Sequence, residues 1–281
     1  MLRREFVRHL SVAAVAVPAS MSALRLVEPA ALAAQIEIPS EFDTSLESIA
    51  VAFRGGTGMT LGYLSQPKVR GPHPGIVLMH DVAGLTTGVR GVARNLATSG
   101  YVVVAPDFLS PQGGVASFRG VDAEVKRAVA ATPAAAVGPQ ATGALAFLKS
   151  HGAGDRGMAL VGFGWGATEA LRFAAGRTDI TACVVFYPDP VQTMPLLAKV
   201  SAPVLAMFAA DDEQTSASAG KFAEAAAGRR VHTVKVFPGV KRGFHDPGEK
   251  AAYKPDVAKQ AWSDAIAHLD AHTKKAAATS A

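Results

Sequence analysis

The sequence predicts an α/β protein built on one mostly parallel, doubly wound sheet that is entered through an antiparallel hairpin. Three observations carry that prediction. Strand-like and helix-like segments alternate over most of the chain, the order that builds a parallel sheet with helices on both faces. The strand-like segments Gly75–Met79, Tyr101–Ala105, Ala182–Phe186 and Pro203–Phe208 are continuous apolar runs, as strands covered on both faces require. By contrast, Ser48–Phe53 and Met59–Leu64 alternate across a Gly55-Gly56 turn, which is the signature of a hairpin.

In chain order, Ile36–Thr44 reads as an irregular arm before the hairpin, and Pro67–Pro74 as a loop after it. Val89–Ser99 carries apolar residues at helical spacing and stops at Gly100, a C-terminal cap residue. Pro106-Asp107 closes the strand that follows. Ser110–Ala136, rich in Ala and Gly, predicts a loop with a short helix, and Pro139–His151 a clearer helix. Met158–Val161 is the next strand and Thr168–Ala175 the helix after it. Tyr187–Pro190 reads as a loop, Ser216–Ala227 as a helix, Val231–Phe237 as a strand and Pro238–Pro247 as a loop. Pro255–Lys274 predicts a terminal amphipathic helix with Val257, Trp262, Ile266 and Leu269 on its apolar side. No internal repeat or interdomain linker interrupts this order, so residues 34–281 read as one domain.

Residues 1–33 read as an export signal. Arg3-Arg4-Glu5-Phe6-Val7 resembles a twin-arginine motif, an apolar region runs from Ser11 to Leu24, and Ala31-Leu-Ala33 offers a cleavage site. The apolar region contains Pro18 and ends at Arg25, short of the roughly 20 residues that span a bilayer. The expectation is a periplasmic or extracellular protein with no stable membrane span after processing. Of the net charge of +5, four Arg against two Glu in residues 1–33 account for +2. The remainder is mildly basic and lacks Lys/Arg clusters interleaved with aromatics, which argues against a nucleic-acid partner. The single cysteine, Cys183, sits inside an apolar run, so neither an internal disulfide nor a Cys/His metal site is expected. With 49% hydrophobic residues, the chain has material for a core that stands without disulfides.

The segment that carries the chemistry is Val161-Gly-Phe-Gly-Trp-Gly-Ala167. A strand, a sharp Gly-rich turn and a helix form a nucleophile elbow, written G-x-nucleophile-x-G. Gly162 and Gly166 remove the Cβ atoms that would keep the turn from its neighbours. At the tip, where Ser or Cys is required, stands Gly164. Further candidates fall at the carboxyl ends of other expected strands, where open α/β sheets bind ligands. They are His80/Asp81, Asp211/Asp212, and the loop with Arg242 and His245.

Four segments resemble the dienelactone hydrolase (carboxymethylenebutenolidase) family of the α/β-hydrolase superfamily. Ile76–Leu85 is similar to its strand and turn that supply an acidic residue and one oxyanion donor. Ala93–Asp107 is similar to its helix–strand signature. Val161–Gly166 is similar to an elbow that normally reads G-F-C-W-G, and Val236–His245 to a loop that normally reads Y-P-G-x-x-H-G-F. The resemblance covers about Gly58 to His268 and implies an α/β-hydrolase fold acting on carboxylic esters or lactones, with no cofactor and no metal.

The same resemblance places Gly164 at the nucleophile position, Arg242 at the histidine position and Asp212 at the acid position, with Asp211 the weaker candidate. Asp81 stands where the family usually has Glu, and the N–H groups of Trp165 and Val82 match the oxyanion donors. Glycine has no group to attack with, and arginine stays protonated at any working pH and cannot act as a general base. Three readings follow. The first is an exported, catalytically impaired member that keeps a pocket for an ester, lactone or carboxylate, with an Arg242–Asp212 salt bridge in place of the His–Asp pair. The second is a hydrolase with a displaced mechanism, in which His245 or Asp212 activates water. The third is dinucleotide binding, since Gly162–Ala167 also satisfies G-x-G-x-x-A. His80 and Cys183 read as structural, Trp165 as either pocket wall or fold support, and Arg119, Lys126 and Arg127 as solvated surface.

Overall fold

The computed structural model describes residues 24–26, 39–56, 58–69, 71–228 and 232–274. The strands are β1 (Leu24–Leu26), β2 (Leu46–Gly55), β3 (Gly58–Pro67), β4 (His73–Met79), β5 (Val102–Pro106), β6 (Ala153–Phe163), β7 (Ala182–Phe186), β8 (Val204–Ala209) and β9 (His232–Phe237). They form one sheet in the order β1-β9-β8-β7-β6-β4-β5-β3-β2. β2 and β3 make the expected antiparallel hairpin and β3 pairs antiparallel with β5, while every pairing from β5 to β1 is parallel. The architecture is that of the α/β-hydrolase fold. The expected export segment lies outside the described residues, apart from Leu24–Leu26 pairing with Val234–Val236 on the sheet edge.

The helices are α1 (Thr87–Thr98), α2 (Asp122–Ala130), α3 (Ala134–Ser150), α4 (Trp165–Ala174), α5 (Pro190–Leu197), α6 (Ser216–Ala227) and α7 (Pro255–Thr273). Each central strand is split by its own alternation. Val77, Leu160, Cys183, Val185, Ala206 and Phe208 face a core closed by α3, α4 and α6. Ile76, Val161, Val184, Phe186, Leu205 and Met207 face a second core closed by α1 and α7. That two-sided burial is why these strands read as unbroken apolar runs.

Two elements depart from expectation. α3 begins at Ala134, not Pro139, which sits inside it. Pro133 stands just before the first turn, where its missing N–H forfeits nothing, whereas Pro139 is the sixth residue of α3 and gives up one i→i−4 hydrogen bond that the helix tolerates. The segment after β7 is not only a loop but launches α5 at Pro190, with the Asp189 carboxylate accepting from the N–H groups of Val191 and Gln192. Asp followed by Pro at the first helical position is an N-terminal signature that the sequence does carry.

Because β9, β8, β7, β6 and β4 are adjacent and parallel, the residues just past their ends stand in a row along one sheet edge. That row is Arg242, Asp212, Tyr187, Gly164 and Asp81.

Candidate active site

The elbow is formed in full. β6 ends at Phe163, α4 begins at Trp165, and Gly164 between them has φ +50° and ψ −111°. That conformation lies outside the ordinary regions for L-residues and costs a side-chain-bearing residue roughly 1–3 kcal/mol. The turn is anchored on both sides. The Gly164 N–H donates to the Phe186 carbonyl at 2.8 Å, and the Gly164 carbonyl accepts from the Thr168 N–H at 3.1 Å. A Cβ on Gly162 would stand 2.6 Å from the Gly166 carbonyl oxygen, and one on Gly166 would overlap the backbone of Met79 and His80. These two glycines are required by the approach of α4 to β6 and β4, whatever chemistry the tip performs.

A Cβ built on Gly164 would overlap both carboxylate oxygens of Asp81. The space a side chain at the tip of the elbow would take is therefore filled by an acidic side chain from the end of β4. Its Oδ1 accepts from the Val82 N–H at 2.7 Å and from the Trp165 N–H at 2.9 Å. These are the two main-chain donors that match the oxyanion hole, and one internal carboxylate oxygen occupies them together. Trp165 N–H is also at the first turn of α4, where the helix dipole adds to the attraction for an anion.

Arg242 joins the two acids. Its Nε–H donates to Asp212 Oδ2 at 3.2 Å, and its Nη1 stands 3.8 Å from Asp81 Oδ2. Asp212 is buried and fully engaged, since Oδ2 also accepts from the Thr215 hydroxyl at 2.7 Å and Oδ1 from the Gln214 N–H at 3.0 Å. Asp211 is exposed and takes no part. The guanidinium also lies over the Tyr187 ring, 5.4 Å from its centre, and Tyr187 itself is held at φ +56°. An Asp81–Arg242–Asp212 bridge thus spans the positions of a nucleophile, a base and an acid, with a guanidinium standing between two carboxylates. Two carboxylates against one guanidinium leave the cluster at −1.

The other candidates fall elsewhere. His245 is buried, stacked flat on Phe163 with ring centres 4.5 Å apart, and its Nδ1 pairs with the Tyr187 hydroxyl at 3.1 Å. Burial pushes its pKa down to about 3, so it is neutral and a poor proton acceptor. None of the Asp212 hydrogen bonds involves it. His80 is wholly buried, with its pKa lowered chiefly by burial. Its Nε2 accepts from the Phe108 N–H and its Nδ1 meets the Asp81 carbonyl at 2.9 Å, so it steadies the loop that carries Asp81. Trp165 stacks on His80 at 5.8 Å and meets Phe108 edge-on, while also lining the cavity, so both of its expected roles apply. Cys183 is buried in the core under α4, with its thiol pushed up to about 12. For a dinucleotide, the phosphate would have to sit at the start of α4, where the Asp81 carboxylate repels it, and Asp189 is committed to capping α5.

The site opens into a cavity of about 720 Å³ bounded by Asp81, Gly164, Trp165, Thr168, Tyr187 and Arg242. Its far wall carries Glu169, Arg172 and Gln192, none of which sequence reasoning singled out. Arg172 Nε donates to Glu169 Oε1 at 3.2 Å and its Nη2 to Gln192 Oε1 at 3.0 Å. The one sequence signal for them was position, because Glu169 and Arg172 lie four and seven residues after Trp165 on the helix that begins at the elbow. On the other side of Arg242, a second cavity of about 450 Å³ reaches Lys126, Asp246 and Glu249. Lys126 therefore lines a pocket wall, whereas Arg119 and Arg127 border neither cavity. No helix among the described residues is long and apolar enough to cross a membrane, and no group of metal-ligating side chains occurs among them.

The Dienelactone hydrolase family model matches residues 61–273. The chain belongs to the dienelactone hydrolase family. Among curated relatives, a Methylorubrum extorquens protein assigned as a carboxymethylenebutenolidase is 28% identical over 218 residues, 73% of this chain and 74% of that one. A Bradyrhizobium protein named a probable 2-oxo-3-(5-oxofuran-2-ylidene)propanoate lactonase is 27% identical over 228 residues, 75% of this chain and 89% of that one. Among solved structures, the dienelactone hydrolase of Anabaena variabilis superposes with a TM-score of 0.64 at 18% identity, over 82% of this chain and 99% of that one. A dienelactone hydrolase-like promiscuous phosphotriesterase from metagenomic libraries gives 0.68 at 20%, over 81% and 99%. At such identities the structural likeness speaks for the fold alone.

Proposed function

We propose that this dienelactone hydrolase family member is exported and impaired in acyl chemistry, and that it uses the cavity above Gly164 to hold a small ester, lactone or carboxylate. The observation that carries this reading is the Asp81 carboxylate seated on the Val82 and Trp165 amides. An acyl substrate needs those donors free for its own carbonyl oxygen, where charge develops in the transition state. It also needs a nucleophile that Gly164 lacks and a base that Arg242 cannot be. The displaced mechanism gains no support, because His245 is buried, neutral and tied to Tyr187. The lactone in the Bradyrhizobium relative's name suggests the ligand class. Both arginines on the cavity wall are already paired with carboxylates, Arg242 with Asp81 and Asp212 and Arg172 with Glu169, so a neutral ester or lactone suits the cavity better than a carboxylate.

Initial rates of p-nitrophenyl acetate hydrolysis test the reading. The natural protein is expected to match a heat-denatured control, and Gly164→Cys/Arg242→His to turn over, since the Cys side chain displaces Asp81 from the amides. Saturable turnover by the natural protein that disappears in Asp212→Asn or His245→Gln would overturn it. Export rests on Arg3-Arg4, so Arg3→Lys/Arg4→Lys should hold the protein in the cytoplasmic fraction, and unaltered secretion would remove that part.

A further inference from the structure

We propose that Asp81 is a carboxylate nucleophile toward saturated carbon, so that the protein captures small neutral alkylating molecules as an ester on Asp81 Oδ2. The two oxygens of this carboxylate are unequal. Oδ1 is held by two main-chain N–H groups at 2.7 and 2.9 Å, whereas among the described residues Oδ2 has only the loose Arg242 contact at 3.8 Å. The side chain is 31% exposed and borders both cavities. The carboxylate therefore sits in the nucleophile's slot at the border of both cavities, with one oxygen fixed on the amides and the other held only loosely.

The distinction from acyl chemistry is the use of the amides. Attack on an ester or lactone carbonyl needs them for the substrate's oxygen, and Asp81 holds them. Displacement at a saturated carbon does not. An Oδ2 lone pair forms the new C–O bond, the bond from carbon to the leaving group breaks, and the leaving group departs with that pair as halide. Carboxylates are established nucleophiles of this kind, and positioning supplies the rate. A cluster charge of −1 favours a neutral electrophile over an anionic one.

The ester so formed persists. Its carbonyl oxygen, Oδ1, lies on the two amides, ready for the tetrahedral intermediate of hydrolysis. The residue facing it, however, is Arg242, which cannot deprotonate water. Capture is thus stoichiometric, and a base at position 242, oriented by Asp212, would release the alcohol and regenerate Asp81. Capture rests, like the proposed loss of acyl chemistry, on Asp81 being seated on the two amides, but its adduct is read without any ester substrate.

Incubation of the full chain with 2-bromoacetamide, followed by intact mass, peptide mapping and bromide release, tests it. The expected result is a single adduct on Asp81, cleaved by hydroxylamine as an ester is, formed at least about tenfold faster than adducts on exposed Asp211 of the same chain. Asp81→Asn keeps an oxygen for the amides and should fold but lose the adduct. Arg242→His should release bromide beyond one equivalent. Labelling of Asp81 no faster than of Asp211, or an equal adduct in Asp81→Asn, would overturn the proposal.

Discussion

Replacing Gly164 by alanine tests the arrangement at its centre. The new methyl group is built into the place of the Asp81 carboxylate, so that side chain must leave the Val82 and Trp165 amides. Two costs follow. Holding alanine at φ +50° and ψ −111° costs about 1–3 kcal/mol. Breaking the hydrogen bonds to a carboxylate costs roughly 1.5–3 kcal/mol when the partners stay dry. Because the Asp81 side chain is about one-third exposed, solvent screening makes about 1 kcal/mol the better figure. The sum, about 2–4 kcal/mol, corresponds to a fall in Tm of roughly 4–16 °C for a domain of this size. Thermal unfolding followed by circular dichroism reads it directly. In an Asp81→Ala background the collision is gone, and Gly164→Ala should then cost only its backbone share. The two substitutions should therefore couple by about 1 kcal/mol, within the range for residues in contact. Strict additivity, or a Gly164→Ala protein as stable as the natural one, would refute the claim that Asp81 fills this slot.

Two further outcomes follow from the same geometry. Arg242→Met leaves buried Asp212 without its cation. Loss of one partner from a fully buried pair costs about 3–5 kcal/mol, but Arg242 is partly exposed and solvent screening brings the expectation to about 1–2 kcal/mol. Denaturant midpoints should show this loss, with partial recovery in Asp212→Asn/Arg242→Met. His245 binds a proton near pH 6.5 when unfolded but only near about 3 when folded, and burial likewise lowers His268, to about 4. The unfolded chain thus holds more protons between those values, and stability is complete above pH 6.5 and lost as pH falls. His245 alone contributes a slope of up to about 1.4 kcal/mol per pH unit, so His245→Gln should flatten the decline in urea midpoint between pH 7 and 5.

How far the site was legible depended on whether each residue acts through its backbone or its side chain. The elbow could be read from Gly162 and Gly166, because a turn pressed against β4 and β6 tolerates no Cβ there. Asp212, Arg242 and Asp81 could be placed at strand ends because the apolar runs before them mark those ends. What could not be read was which partner each would take. The descent of Asp81 into the space over Gly164 is a rotamer outcome that depends on an empty volume created 83 residues away in sequence. Likewise, His245 is three residues from Arg242, yet its ring is drawn under Phe163 and Tyr187 rather than toward Asp212. The α5 helix was missed although Asp189-Pro190 announces it, whereas α6 and α7 were plain because long segments carry their own periodicity.

The pairing of Gly164 with Arg242 has a physical logic that neither substitution has alone. With a glycine at the tip, the two amides would face solvent or attract an anion, and Asp81 is the nearest one. Seating Asp81 there puts a second carboxylate in the same cavity as Asp212. A neutral imidazole at position 242 would leave those charges unopposed, whereas a guanidinium contacts both, at 3.2 Å and 3.8 Å. It also presents several donors in a planar fork, which an imidazole does not. The arginine is therefore the residue that makes the glycine tolerable, and on the proposed reading acyl chemistry is expected only when both positions change together. Gly164→Cys alone should expel Asp81 yet remain without a base. Arg242→His alone should gain a base but find the oxyanion donors still occupied.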